Sequence, residues 1–147
     1  PFLVHNVDIL SDIDLCALYN SHVQQNAMAS LLVSKRETSR YLLFNAENNL
    51  QGWINEKTGE TKSPLTNFNP VLYSKYAFAG IHILSPSIFE WMNDWNGKFS
   101  IIDFYLSIAD KATIKAYCPK ELNMIDVGKL DSLVEAEKFV ERITINN

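Results

Sequence analysis

The sequence predicts an α/β fold in which a Rossmann-like, mostly parallel sheet carries helices on both faces and one inserted antiparallel hairpin. Three observations predict this class. A strand-like, a helical and a second strand-like segment follow one another within residues 2–35, and such a unit implies parallel strands with a right-handed connection. Two further strand-like segments within residues 40–55 flank the turn AENN, as in a hairpin. Strand-like and helical segments alternate again after residue 74.

The first half of the chain contains four predicted strands and one predicted helix. Residues 2–7 are apolar on both faces, as in a central strand. Ser11, with Asp14 three residues later, is typical of a capping box, and apolar residues then recur at helical spacing over residues 12–25. The remaining strands are predicted at 27–35, 40–45 and 50–55, with polar or proline-containing connections at 56–62 and 63–72.

The second half begins with the longest predicted strand, residues 74–84. Ser85 and Pro86 supply an N-cap and a first-turn proline for a short helix that ends near Gly97. Apolar spacing predicts a helix over residues 100–112, followed by strands at 113–118 and 123–128. An amphipathic helix is predicted over residues 130–143, with core-facing residues Leu130, Leu133, Val134, Ala136, Phe139 and Val140.

The composition is that of a single globular domain spanning residues 1–147. Hydrophobic residues make up 47% and charged residues 20% of the chain. A net charge of -4 with scattered Lys and Arg argues against nucleic acid and anionic membranes as partners. No apolar run approaches the ~20 residues of a membrane helix, and no secretory signal is visible, so a cytoplasmic location is expected. Cys16 and Cys118 are predicted to be reduced core thiols.

Two aspartates follow predicted strands at positions where α/β proteins bind ligands. Asp8 closes the first strand and Asp126 lies near the end of the last, and ligands bind beyond the carboxyl ends of strands in open α/β sheets. Two carboxylates at one edge suit Mg²⁺, which takes oxygen ligands and commonly shares them with phosphate. The alternative is that Asp8 caps the following turn and Asp126 caps the last helix.

Four segments, in their order and spacing, resemble the sugar-1-phosphate nucleotidylyltransferases, which include the mannose-1-phosphate guanylyltransferases. They are NVDI, FAGIHILSP, FSIIDFYLS and MIDVGKLDSLVEAE, and the resemblance extends over nearly the whole chain. It implies an enzyme that joins a nucleoside triphosphate to a sugar 1-phosphate and releases pyrophosphate. Mg²⁺ is the implied cofactor, and the two phosphorylated substrates are the implied partners.

The resemblance also implies roles for five residues. Asp8 matches the family's first metal-binding aspartate and Asp126 the second, so both are expected to be catalytic Mg²⁺ ligands. Gly80 matches a glycine that lies beside the sugar ring. Glu56 and Lys57 match a Glu-Lys pair that contacts the sugar hydroxyls and the sugar phosphate.

The chain also departs from the family pattern. Val7 replaces the glycine that precedes the first aspartate, which is expected to narrow the space near the metal. The family's Gly-x-Gly-x-Arg loop, which holds the nucleoside triphosphate, does not occur in these 147 residues. The chain is therefore expected to be the carboxyl-terminal half of a nucleotidyltransferase domain and inactive alone. Exposed sheet edges would make it self-associate or remain beside its amino-terminal half.

Two other classes of protein remain open on the sequence. One is a non-catalytic regulatory or binding module with a nucleotidyltransferase-like half-fold. The other is a metal-dependent glycosyltransferase, although such enzymes usually carry Asp-x-Asp and this chain has Asn6 where the first aspartate would stand. His22 and His82 are interpreted as packing or surface residues, and Arg36 and Arg40 as solvated.

Overall fold

The computed structural model of the protein describes residues 1–128 and 132–145. The strands are β1 (Phe2–His5), β2 (Ile9–Ser11), β3 (Ala29–Ser34), β4 (Arg40–Phe44), β5 (Leu50–Asn55), β6 (Glu60–Lys62), β7 (Ser74–Leu84), β8 (Ile114–Tyr117) and β9 (Met124–Asp126). The helices are α1 (Leu15–Gln25), α2 (Ile101–Ile108) and α3 (Leu133–Ile145), with short 3₁₀ helices at Pro70–Leu72 and Pro86–Met92. A mixed α/β class is therefore confirmed.

The eleven-residue strand β7 organises a seven-stranded sheet. The strand order is β6-β5-β4-β7-β3-β8, and β1 also pairs with β7. The first residues of β7 pair with β4 through Tyr76, and its later residues pair with both β1 and β3 through His82. One strand thus joins the predicted hairpin to the strands that carry the first helix.

The predicted mostly parallel sheet is wrong, because among the described strands only the β3–β8 pair is parallel. The turns between β4 and β5 and between β5 and β6 contain too few residues for a crossover, so these strands must be antiparallel. β1 and β3 flank α1 as predicted and run in the same direction. They do not pair, because β7 lies between them, antiparallel to both.

Helices cover both faces of the sheet, as predicted. Leu18 of α1 packs on one face, and the aromatic residues of α2, including Tyr105, pack on the other. Because side chains alternate along a strand, β7 contributes to both cores: His82 contacts Tyr105 on the α2 side. The β7 residues on the α1 side are Ala79, Ile81 and Ile83.

Two details of the helices differ from the sequence prediction. α1 is capped by Asp14, whose carboxylate accepts from the Ala17 amide at 3.0 Å, while Ser11 belongs to β2. In α3 only Ala136 and Phe139 of the predicted core-facing residues are buried. Leu133, Val134 and Val140 are exposed, since the helix packs through a narrow face, and Leu130 lies outside the described residues.

Both cysteines are free, but neither is a core residue. Cys16 and Cys118 are exposed, which corrects their predicted burial. Cys16 lies on the solvent side of α1, and Cys118 follows the last residue of β8.

Candidate functional site

A second, two-stranded sheet brings the two candidate metal-binding aspartates together. β2 pairs antiparallel with β9, and Ile9 is directly opposite Asp126. The Val127 amide donates to the Asp8 carbonyl at 2.7 Å, which extends this pairing to the residue before β2. Asp8 therefore lies in the turn between β1 and β2, beside the end of β9, although the two aspartates are far apart in sequence.

Both candidate carboxylates pack closely against Gly128. A Cβ atom at this position would lie 2.9 Å from Asp8 Oδ2 and 3.1 Å from Asp126 Oδ1, so one carboxylate oxygen of each aspartate borders the same point. The Gly128 amide donates to Asp126 Oδ1 at 2.9 Å, which fixes the orientation of that carboxylate. Two exposed carboxylates that border one point fit a hard divalent cation that takes its remaining ligands from phosphate or water.

The protein side chains alone do not complete a metal site. Within residues 1–128 and 132–145 no group of three or more His, Cys, Asp or Glu side chains is placed to hold a metal ion. A cation on Asp8 and Asp126 would therefore depend on oxygen atoms from a bound ligand, as is usual for Mg²⁺ sites that bind phosphates.

The aspartates line a cleft of about 340 Å³ that also contains Gly80. Gly80 has a φ of +74°, and a Cβ there would lie 2.8 Å from Asn6 Nδ2, so both the backbone conformation and the packing require glycine. The backbone amide of Asn6 donates to the Gly80 carbonyl at 2.9 Å, which continues the β1–β7 pairing into the cleft. Three of the five predicted site residues, Asp8, Gly80 and Asp126, thus share one cleft.

Val7 does not crowd this cleft. Its side chain is 98% exposed, because the turn after β1 directs it into solvent. Val7 therefore does not narrow the cleft that Asp8 and Asp126 line.

Glu56 and Lys57 lie elsewhere, on the turn between β5 and β6. Asn55 Oδ1 accepts from the Lys57 amide at 3.0 Å and so shapes this turn. Glu56 forms an ion pair of 2.6 Å with Lys75 of β7, and this hydrogen bond raises the pKa of the Lys75 ammonium. Neither Glu56 nor Lys57 lines the cleft that holds the aspartates.

The sequence interpretation missed Arg36, which lines the aspartate cleft from the segment after β3. Its Nη2 donates to the Phe78 carbonyl of β7 at 3.3 Å. Arg36 also lines a neighbouring cleft of about 1300 Å³, whose other cationic residues are Lys35, Lys120 and Arg142. The rule that ligands bind beyond the carboxyl ends of strands, applied to β3 as well as β1, would have identified it.

Two buried histidines serve packing, as interpreted from the sequence. His22 contacts the hydroxyls of Ser30 and Ser85, each at 2.9 Å, and burial lowers its pKa. His82 is hydrogen-bonded to the Tyr105 hydroxyl, and burial lowers the pKa of His82 to about 4. Burial also raises the pKa of Tyr105.

Solved structures show what this fold resembles. A structure assigned as a glucose-1-phosphate thymidylyltransferase from Bacillus anthracis, in complex with sucrose, matches with a TM-score of 0.69 and 15% identity over 93% of this chain and 53% of that chain. A UTP-bound UGPase from Acinetobacter baumannii matches with a TM-score of 0.67 and 17% identity over 92% of this chain and 48% of that chain. The chain therefore has a nucleotidyltransferase-like fold and spans about half the length of these proteins.

No protein-family profile matches the chain, and no curated protein sequence matches it either. In the described residues, no helix combines the length and apolar character needed to cross a bilayer.

Proposed function

We propose that this chain carries the metal-binding and sugar-phosphate-binding half of a sugar-1-phosphate nucleotidylyltransferase. The observation that carries the proposal is the convergence of the Asp8 and Asp126 carboxylates around Gly128. The similarity of the fold to a thymidylyltransferase and a UGPase supports the same reaction class. A cleft of about 340 Å³ is of the size that small-ligand sites have.

Asp8 and Asp126 are proposed to hold Mg²⁺. When bound, this ion neutralises phosphate charge and orients the phosphate oxygens. The Gly128 amide holds Asp126 in position by donating to Oδ1, and the missing side chain of Gly128 lets both carboxylates approach its backbone closely.

Three further residues are proposed to bind the sugar phosphate. The backbone at Gly80, which lines the cleft beside the Asn6 side chain, would contact the sugar ring. Glu56 would accept hydrogen bonds from sugar hydroxyls, and the Lys57 ammonium would bind the phosphate. Because the turn with Glu56 and Lys57 lies outside the aspartate cleft, the substrate must extend from that cleft to the β5–β6 turn.

The proposed reaction is an in-line displacement at phosphorus. A phosphate oxygen of the sugar 1-phosphate forms a bond to the α-phosphorus of the nucleoside triphosphate, and the bond to the β-phosphate oxygen breaks to release pyrophosphate. Such chemistry requires positioning and charge stabilisation rather than a covalent intermediate on the protein. The Gly-x-Gly-x-Arg loop expected to hold the triphosphate is not in these 147 residues, so we expect the isolated chain to lack activity.

The test is an activity screen of the full-length protein. Each nucleoside triphosphate is paired with glucose 1-phosphate and mannose 1-phosphate, and pyrophosphate release is measured with Mg²⁺ present. Asp8→Asn and Asp126→Asn should each lower the rate at least 100-fold, a loss on the order of that for one strong electrostatic contact in an active site. Asp110→Asn is the matched control, because Asp110 is exposed and does not line the cleft. Unchanged activity in both cleft variants would contradict the proposal.

A cytoplasmic location and self-association through sheet edges belong to the same proposal. Free thiols at Cys16 and Cys118 are compatible with a reducing compartment. Among the described strands β1 pairs only with β7, so one edge of β1 is open for pairing with a further strand.

A further inference from the structure

We infer that Arg36 is a second phosphate-binding group of the aspartate cleft, acting beside the carboxylate-bound cation. This inference rests on the proposed function and adds to it a residue that binds the substrate phosphate directly.

Arg36 is positioned by contacts with the strands that form the cleft. It lies two residues after the end of β3, and its guanidinium donates to the Phe78 carbonyl, two residues before Gly80 on β7. It lines the same cleft as Asp8 and Asp126. Because the contact with Phe78 uses one nitrogen, it steadies the guanidinium while leaving donors for a ligand.

Within residues 1–128 and 132–145, the Arg36 guanidinium forms no ion pair with a carboxylate. In the described part of the chain, the side-chain ion pairs are Lys62–Asp103 and Lys75–Glu56, and neither involves Arg36. In the same part of the chain, the Arg36 side chain forms one hydrogen bond, to the Phe78 carbonyl. An exposed guanidinium held against a strand but not neutralised by an acid is suited to bind an anion.

Charge balance inside the cleft favours such a group, because Lys57, the other cation proposed to bind the phosphate, does not line this cleft. Asp8 and Asp126 together offset the charge of one divalent cation, so the cation on these two ligands leaves a phosphate monoester's charge of about -2 uncompensated. Arg36 supplies one positive charge, and its planar fork can donate two parallel hydrogen bonds to phosphate oxygens. A phosphate monoester, such as the sugar 1-phosphate of the proposed reaction, is the ligand class that we infer for this arrangement.

The experiment measures cation binding and phosphate binding separately in the full-length protein. Mn²⁺ affinity is measured by electron paramagnetic resonance, and binding of α-D-glucose 1-phosphate with Mg²⁺ present is measured by calorimetry. Arg36→Gln should weaken glucose 1-phosphate binding about tenfold or more, the range for losing a charged hydrogen-bond partner. Arg36→Lys should recover part of the loss, and Mn²⁺ affinity should stay the same because Arg36 is not a metal ligand.

Arg40→Gln is the matched control, since Arg40 is an exposed arginine at the start of β4 that does not line the cleft. Thermal unfolding of each variant verifies that it is folded. The inference about Arg36 is overturned if the affinity of Arg36→Gln for glucose 1-phosphate is within twofold of that of the parent protein, or if the parent does not bind glucose 1-phosphate. In either case Mn²⁺ binding can still support the metal site. If the parent protein does not bind Mn²⁺, the proposed function fails and this inference fails with it.

Discussion

Replacing the buried His82 should change how stability depends on pH. This histidine of β7 is 3% exposed, hydrogen-bonded to Tyr105 and in edge contact with the Phe78 ring. Burial lowers its pKa from the ordinary 6.5 to about 4. The folded protein therefore binds fewer protons at His82 than the unfolded chain does whenever the pH lies between these two values.

The sign and the size of the effect follow from this difference. A depressed folded-state pKa gives a stability contribution that is fully present above pH 6.5 and is lost as the pH falls towards 4. One pKa unit corresponds to about 1.4 kcal/mol, so about 3 kcal/mol of unfolding free energy should disappear across this window. That is a large share of the 5–15 kcal/mol that is typical for a protein domain.

Urea unfolding followed by tryptophan fluorescence, repeated from about pH 7 to about pH 4.5, measures the effect. His82→Asn cannot titrate in this range and keeps a polar group near Nδ1 for Tyr105. The parent should lose stability towards low pH more steeply than this variant, with the two curves converging by about 2–3 kcal/mol. His5→Asn, at an exposed position, is the control and should follow the parent. Parallel curves for the parent and His82→Asn would refute the reasoning.

Three further predictions concern backbone space and the open strand edge. Gly80→Ala should lower the urea-unfolding free energy by about 1–3 kcal/mol, because a positive φ is combined with a Cβ 2.8 Å from Asn6 Nδ2. Gly97 also has a positive φ, but no atom lies within 4 Å of the position of its Cβ, so Gly97→Ala should lower the unfolding free energy by less than Gly80→Ala. Equal losses of unfolding free energy in the two variants would show that crowding by Asn6 is unimportant. Gly128→Ala should reduce Mn²⁺ affinity while leaving the unfolding midpoint near that of the parent, and undiminished Mn²⁺ binding would contradict a site beside both carboxylates. In sedimentation velocity, the 147-residue chain should self-associate with rising concentration and Leu3→Lys on β1 should weaken this, whereas a monomer at all concentrations would contradict pairing at that edge.

Local segments of the fold could be predicted from the sequence, but their pairing could not. The strand over residues 74–84 was predicted with the bounds that β7 has, because its pattern is local. Its insertion between β1 and β3 depends on contacts between residues more than forty positions apart, which periodicity does not encode. The expected parallel pairing followed a rule for strand–helix–strand units, and a returning antiparallel strand overrides that rule here.

In the candidate site, too, the residues could be predicted from the sequence but the pairing that brings them together could not. Asp8 and Asp126 were identified by residue type and spacing, and the structure brings them together. The expected reason was the carboxyl edge of a parallel sheet, whereas the observed reason is the pairing of two three-residue strands, β2 and β9. β2 carries no recognisable pattern because three residues are too few to show periodicity. Arg36 was missed because an arginine after a strand is most often simply solvated.

The β2–β9 pair also joins two parts of the chain that are far apart in sequence. It is reinforced where Asn123 donates to both carboxylate oxygens of Asp12, at 2.9 and 2.7 Å. This short pairing closes a loop of more than a hundred residues between β2 and β9. Closing a loop has an entropic cost that grows with its length, and only a few hydrogen bonds offset that cost here. A cation shared by the adjoining aspartates would strengthen this closure by mass action, so chelation should expose β2 and β9 to proteases before the seven-stranded sheet is cut.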